Sequence, residues 1–253
     1  MLTRLAHALA AARFVLWRRV VSARLGRLGV SVRWEVAGAP RFWTLPRLEP
    51  VIGAPGPGAL VIRLGRGVKL GRELVLEVWT GAENVLEVGD RTTFEAFCRI
   101  QLQGGTIRLD HDVHVRDLVL LKTRSRSTLE VGEWTVLSRG AHIHATERVT
   151  IGAHIAIGER TTVIDSDHTY RDDEVPFLRR PLKTAPIVIG RNVSVSANCV
   201  VLRGARIGEN AVVAAGVVVG SGEYPAAWLI GGLPARPLRA LEGADGRRQE
   251  APR

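Results

Sequence analysis

The sequence is poor in the residues that usually fill a large core or cross-link a small one. Of its 253 residues only 5% are aromatic, one is methionine, and two, Cys98 and Cys199, are cysteine. Two cysteines cannot form a disulfide framework, and neither belongs to a C-x-x-C pair that would indicate a zinc or redox site. The core must therefore be built mainly from Val, Ile, Leu and Ala.

Long uncharged segments are also missing. The longest, such as 210–222, have 13 residues, well short of the roughly 18 that a membrane-spanning helix needs. Arginines recur through the first 34 residues, which therefore lack the unbroken apolar run of a signal peptide. We expect a cytoplasmic protein without a membrane span.

Acidic residues are absent from the first 34 positions, which hold seven arginines of a chain whose net charge is +10. The remainder is nearly balanced, with 28 basic and 25 acidic residues. Because most of the excess charge is confined to this leader, we do not expect nucleic-acid binding.

A hexapeptide repeat dominates the second half of the chain. An aliphatic residue recurs at every sixth position, and six is a multiple of the strand period of two, so each repeat points it inward. One repeat cannot bury this face alone, which predicts a solenoid of stacked coils. The aliphatic positions of the best-formed run are Ile189, Val195, Val201, Ile207, Val213 and Val219.

The repeat divides the chain into three parts. Residues 1–59 are predicted to be a basic N-terminal helix with a Gly- and Pro-rich linker, residues 60–239 a β-helix domain, and residues 240–253 a disordered tail. Within the domain, glycines that follow the aliphatic position, such as Gly190 and Gly208, are expected at corners with positive φ. Cys199 is expected to fill the core.

The repeat stops at Asp165 and resumes in phase at Ile189. The segment 165–186, DSDHTYRDDEVPFLRRPLKTAP, is polar and is predicted to form a loop outside the solenoid. Long loops in compact domains are usually functional or disordered. The well-formed repeats on both sides favour a functional loop.

The leader, residues 1–29, has the spacing of a helix with a narrow leucine stripe. Two interpretations remain open. The helix either binds a membrane surface, or packs on the solenoid or a neighbouring subunit. Packing on the solenoid would bury Leu5, Leu9 and Leu16, whereas Phe14 and Trp17 lie off this stripe.

Several features together resemble one known family. They are the repeat array, the loop beginning DSDHTY, the resumed coils PIVIGRNVSVSANCVV and the closing GGLPARPLR, over about residues 129–239. The set is similar to the hexapeptide-repeat acyltransferases, in the O-acetyltransferase branch that includes galactoside and maltose acetyltransferases and exopolysaccharide acyltransferases. The resemblance implies an all-β solenoid, a left-handed parallel β-helix with an N-terminal helical segment, assembled as a homotrimer with active sites between subunits.

The resemblance also implies acetyl-CoA as the donor, no metal, and His168 as the catalytic base. Histidine suits this role because its ordinary pKa lies near 6.5. The asparagine that orients the base in the family is matched by Arg160, which cannot accept a hydrogen bond. Asp165, or else Asp167, is then the predicted orienting group, although both acids are equally typical of turns.

For the donor, the resemblance implies backbone contacts around Ser196 and Ala197, which would hold the developing oxyanion, and at Ala215. Arg236 and Arg239 match positions that bind the phosphates of CoA. The chain departs from the family pattern at Ser194, where a tryptophan is usual, and at Ser221, where a lysine is usual.

The remaining histidines raise a metal alternative, because γ-type carbonic anhydrases have a related solenoid with three histidine ligands. Neither His111 with His114 nor His142 with His144 has the expected spacing of five. This favours surface histidines over a metal site.

These observations predict an acyl-CoA-dependent O-acyltransferase, most simply an acetyltransferase, acting on a sugar hydroxyl in polysaccharide or glycolipid biosynthesis. It would work in the cytoplasm or peripherally at the inner face of the membrane. The alternatives are acetylation of a small molecule such as an antibiotic, and a non-catalytic membrane-associated scaffold. The loop around His168 argues against a scaffold, which has no use for it.

Overall fold

The computed structural model describes residues 2–170 and 174–241, and within them a helix is followed by short strands. The helix is α1 (Leu2–Gly26), and one 3-10 turn spans Phe177–Arg179. Of the predicted tail, 240–253, residues 242–253 lie outside the described part of the chain. The strands are β1 (Val30–Val36), β2 (Arg41–Phe42), β3 (Arg47–Val51), β4 (Gly58–Leu64), β5 (Lys69–Leu70), β6 (Val75–Trp79), β7 (Glu83–Val88), β8 (Thr93–Phe94), β9 (Arg99–Gln103), β10 (Gly105–Leu109), β11 (His114–Val115), β12 (Leu120–Arg124), β13 (Thr128–Val131), β14 (Val136–Leu137), β15 (His142–Ala145), β16 (Arg148–Ile151), β17 (Ala156–Ile157), β18 (Thr162–Ile164), β19 (Ser166–His168), β20 (Leu182–Thr184), β21 (Ile187–Ile189), β22 (Ser194–Val195), β23 (Val200–Leu202), β24 (Ala205–Ile207), β25 (Val212–Val213), β26 (Val218–Val219), β27 (Gly222–Tyr224), β28 (Trp228–Gly231) and β29 (Arg236–Ala240).

Three long sheets form the walls of the solenoid. Sheet A has the order β1-β4-β7-β10-β13-β16-β21-β24-β27, sheet B β2-β5-β8-β11-β14-β17-β22-β25-β28-β29, and sheet C β3-β6-β9-β12-β15-β18-β23-β26. Each coil runs from sheet A to sheet B to sheet C, and its strands pair in parallel with those of the neighbouring coils. Strand β29 ends sheet B and pairs antiparallel with β28. We call the corner between sheets B and C the B–C edge, and that between C and A the C–A edge.

The aliphatic positions of the hexapeptide repeat line the interior. Val201, Val213 and Val219 are fully buried, and Cys199 fills the core as expected. The predicted solenoid of parallel strands, a β-helix of hexapeptide repeats with an N-terminal helix, is confirmed.

The first coil begins earlier than the sequence predicts. The Gly- and Pro-rich linker predicted within residues 1–59 contains β2 and β3, which pair in parallel with β5 and β6. Strand β1 pairs with β4 along its whole length. Parallel pairing uses backbone groups, so a coil forms here without the strict repeat, and Leu48 supplies a buried side chain.

The repeat glycines serve a different purpose from the one predicted. Positive φ occurs at Asn192 and Asn210, two positions after Gly190 and Gly208, and not at these glycines. A Cβ on Gly208 would instead lie 2.5 Å from the amide nitrogen of Ala226 in the next coil. These glycines therefore allow close approach of successive coils.

Helix α1 caps the open end of the solenoid. The buried Phe14 and Leu25 of the helix join the core, and the rings of Trp17 and Trp34 meet edge to face with centroids 5.5 Å apart. The expectation that packing would bury Leu9 and Leu16 is wrong, because the aromatic residues off the stripe make the contact. No helix among the described residues combines the length and apolar character needed to cross a membrane.

Candidate functional site

The predicted loop leaves the solenoid at the C–A edge as a hairpin. Strands β19 and β20 pair antiparallel, with His168 opposite Leu182. The segment 171–173 of the predicted loop lies outside the described residues. The hairpin therefore holds His168 on regular backbone beside the well-formed coils.

The imidazole of His168 is fixed by a backbone carbonyl. Its Nδ1 lies 3.1 Å from the carbonyl oxygen of Arg180, and the Phe177 ring packs against it with centroids 5.3 Å apart. Because a carbonyl oxygen can only accept, Nδ1 carries the proton when the imidazole is neutral. The lone pair is then on Nε2.

Asp165 does not orient His168, in contrast to the sequence prediction. Its carboxylate is fully buried and accepts hydrogen bonds from the backbone amides of Thr146, Glu147 and Arg148 at 2.7–2.8 Å. Three amide donors at one corner occupy both carboxylate oxygens. Asp165 therefore ties the base of the hairpin to the preceding coil.

The other polar side chains considered as orienting groups also have partners. Asp167, on the hairpin, accepts a hydrogen bond from Arg203 Nε at 2.8 Å. Arg160 lies at the B–C edge, away from the hairpin, where its Nε donates to Asn198 Oδ1 at 3.1 Å. The group that orients His168 is thus the Arg180 carbonyl, which sequence reasoning missed because every residue carries a carbonyl.

The residues predicted to contact the donor lie at the B–C edge. Ala197 and Ala215 stack in successive coils, linked by the bond from Gly216 N to the Ala197 carbonyl at 3.0 Å. The Ser196 amide already donates to the Val213 carbonyl at 3.0 Å, so it is not available as an oxyanion donor. Within the described chain, the amides of Ala197 and Ala215 have no acceptor.

The two predicted phosphate-binding arginines lie on β29 at the end of the same wall. Arg236 pairs in register with Gly231 and Arg239 with Leu229, and both arginine side chains are exposed. In sheet B, β28 lies next to β25, and Ala214 N donates to the Ile230 carbonyl at 2.9 Å. The arginine-bearing β29 therefore lies two strands along sheet B from β25, the strand that precedes the Ala215 corner.

His168 and the B–C edge lie on opposite sides of sheet C. In each coil a sheet C strand, such as β23, runs from the B–C edge to the C–A edge. The six residue steps from Ala197 to Arg203 span roughly 15–20 Å. One chain therefore presents the two halves of the predicted site on different edges.

Two of the histidines expected on the surface, His142 and His144, are half-buried. They stack on the outer face of sheet C with ring centroids 6.3 Å apart. His111 instead contacts Asp112 and Glu133, and these contacts raise its pKa. Across residues 2–170 and 174–241, no group of three or more His, Cys, Asp and Glu is arranged to hold a metal ion.

Comparison with known proteins gives one family match and several similar structures. The model of the bacterial transferase hexapeptide (six repeats) matches residues 186–221. No curated protein matches the sequence. A hexapeptide-repeat acetyltransferase of Vibrio cholerae O1 biovar eltor, solved with acetyl coenzyme A, is 31% identical over 48% of this chain, with a TM-score of 0.44. This chain spans 65% of that protein, just under two thirds of its length.

Two further structures resemble longer or different parts of the chain. The polySia-specific acetyltransferase NeuO is 16% identical over 84% of this chain and 80% of its own, with a TM-score of 0.48. A maltose O-acetyltransferase from Clostridium difficile 630 is 20% identical over 58% of this chain and 67% of its own, with a TM-score of 0.35. The chain thus contains the hexapeptide repeat of bacterial transferases, and hexapeptide-repeat acetyltransferases are among the solved structures that it resembles.

Proposed function

We propose that this protein is an acyl-CoA-dependent O-acyltransferase in which His168 is the general base, with acetyl-CoA as donor and a sugar hydroxyl as acceptor. The observation that carries the proposal is the hydrogen bond between His168 Nδ1 and the Arg180 carbonyl. It leaves the Nε2 lone pair to face a substrate, as a base needs. The hexapeptide repeats of residues 186–221 are those of bacterial transferases, which supports the reaction class.

In the proposed reaction, Nε2 of His168 takes the proton of the acceptor hydroxyl as its oxygen attacks the thioester carbonyl carbon. The carbon–sulfur bond then breaks, and the departing sulfur takes the proton back from the imidazolium. The ester and the free thiol of CoA are the products, and His168 returns to its neutral form. Asp165 contributes indirectly, by holding the base of the hairpin in place.

The charge that develops on the thioester oxygen needs backbone donors. The Ala197 amide fits this role, because within the described chain it has no acceptor, whereas the Ser196 amide is already bonded. Ala215 offers a second amide along the same edge. Arg236 and Arg239 would bind the phosphates of CoA, since guanidinium groups match phosphate geometry.

A complete site requires the two edges to meet, and we propose that a homotrimer brings the C–A edge of one subunit to the B–C edge of the next. Closed cyclic assemblies repeat one such heterologous interface around the axis. Each interface would then contain one His168 and one donor-binding edge. The sugar acceptor would enter the same cleft beside His168.

Substitution His168→Ala tests the proposal. We expect kcat/KM for release of CoA thiol from acetyl-CoA, over a panel of sugar acceptors, to fall by about 10² to 10⁴-fold, the usual contribution of a general base. The melting temperature should stay unchanged, because His168 is only half-buried. The matched control is His154→Ala, an exposed histidine at a corner, which should keep full activity. Near-normal turnover by the His168 variant would refute the mechanism.

A further inference from the structure

Helix α1 has two apolar faces, and the solenoid uses only one of them. Phe14 and Leu25 are buried against the first coil. On the opposite face Leu9, Leu16 and Val20 are 57%, 63% and 59% exposed. The spacing of seven and four places these three residues in one stripe along the helix. The side chains of residues 1–7 lie outside the described part of the chain.

Cationic side chains flank the exposed stripe. At 100° per residue, Arg19 lies on one side of it and Arg24 on the other, while Arg13, on the same side as Arg24, has its guanidinium over the Phe42 ring of the first coil. All three arginines are exposed, and the first 34 residues contain no acid. An occupant that complements this face must be apolar at its centre and anionic around it.

We propose that the free face of α1 binds the surface of an anionic lipid bilayer. Amphipathic helices of this kind lie in the interface with the apolar stripe among the acyl chains and the arginines among the headgroups. Each arginine near such a surface contributes attraction that salt screens. A second copy of the chain could cover this face only with acidic side chains placed around an apolar centre. Acidic residues of sheet A are already in ion pairs with arginines of the same chain, as Glu87 is with Arg63 and Arg108.

The way α1 caps the solenoid sets the orientation on the membrane. Its packing face meets the inward-facing residues of the first coil, such as Trp34 and Phe42, so the free face points away from the coils along the solenoid axis. The coil that leads into the hairpin is five strand spacings from the first coil in sheet A, roughly 25 Å. If the proposed function holds, His168 would meet its acceptor above the bilayer by this distance plus the thickness of α1, roughly 10 Å.

Deleting α1 would not test the proposal, because it would remove buried core residues. Exposed positions allow a cleaner experiment. In the first variant, Leu16→Gln and Val20→Gln replace the apolar stripe. In the second, Arg19→Gln and Arg24→Gln remove one charge from each side. The matched controls are Phe97→Gln with Leu118→Gln, exposed at solenoid corners, and Arg191→Gln with Arg206→Gln, exposed far from α1.

Co-sedimentation of the full chain with vesicles measures the effect. We expect wild type to bind vesicles of equal parts phosphatidylcholine and phosphatidylglycerol, and to bind pure phosphatidylcholine at least about tenfold more weakly. Each α1 variant should lose about tenfold or more in partitioning, while both controls bind like wild type. Raising salt from about 0.1 to about 0.5 M should release the wild type.

Three outcomes would overturn the proposal. The first is wild type that does not bind the anionic vesicles. The second is equal binding to the neutral vesicles, which would remove the role of the arginines. The third is a change of molar mass in the Leu16 and Val20 variant, measured by light scattering, without a change in vesicle binding, since it would assign the face to a second copy. None of these readouts depends on catalysis, so they separate this proposal from the proposed reaction.

Discussion

At the residue scale, the two stacked histidines of sheet C, His142 and His144, both have a lowered pKa because they are partly buried. Burial lowers the pKa of His144 to about 4, and the nearby positive charges of Lys122 and Arg124 act in the same direction. His144 Nε2 lies 3.5 Å from the Thr146 hydroxyl. The pair is therefore kept neutral at the wall that leads to the hairpin.

The lowered pKa of His144 makes stability depend on pH. The unfolded chain takes up the proton near 6.5 and the folded chain only near 4, so the unfolded state binds more protons between these values. The contribution is fully present above about pH 6.5 and is lost as pH falls toward 4. Urea unfolding over this range should show a shallower loss of unfolding free energy for His144→Gln than for wild type. The exposed His154→Gln serves as control, and parallel curves for His144→Gln and wild type would contradict the assignment.

At the element scale, the β28–β29 hairpin carries Arg236 and Arg239, which we propose bind CoA. Replacing Arg236 and Arg239 together with alanine should raise the KM for acetyl-CoA by at least about tenfold and change kcat far less. Phosphate contacts remote from the thioester contribute mainly uniform binding, which appears in KM. Initial-rate kinetics with varied acetyl-CoA measure both constants.

Arg191→Ala with Arg206→Ala removes the same charge from exposed positions elsewhere and should leave both constants unchanged. A fall in kcat at constant KM in the Arg236 and Arg239 variant would mean that these arginines do not bind the donor. The same pair of variants also separates a local phosphate contact from a general effect of net charge.

The sequence predicts an element well where the element belongs to the six-residue repeat, and poorly where its contacts depend on residues outside the repeat. The coils from Ile189 onward follow from a strict period of six, because every sixth residue faces inward whatever its neighbours are. The same period runs from Val131 to Val163 with one break, between Ile143 and Ile151. The first coil and the packing face of α1 could not be predicted in this way. Burial of Phe14 depends on Trp34 and Phe42 at the open end of the solenoid, which is tertiary context. The carbonyl that orients His168 likewise has no side-chain signature.

At the scale of the whole molecule, the two halves of the proposed site lie on different edges of sheet C. In the proposed homotrimer, a single edge-sharing interface repeated by a threefold axis would join them without any change in the coils. Catalysis would then be a property of the interface and not of the isolated chain. The intact protein should accordingly have the molar mass of a trimer by light scattering.

Mixed assemblies test the shared site directly. His168→Ala and the Arg236→Ala/Arg239→Ala variant, co-expressed with different tags and purified through both, should give assemblies more active than either variant alone. Every trimer that carries both tags contains both variants, so one of its three interfaces combines an intact His168 with an intact donor-binding edge. The assay should use acetyl-CoA far below the KM of the arginine variant, so that its own sites contribute little. Activity no higher than the mean of the two parents would place His168 and its donor in the same chain, and the solenoid would then have to bring its edges together in another way.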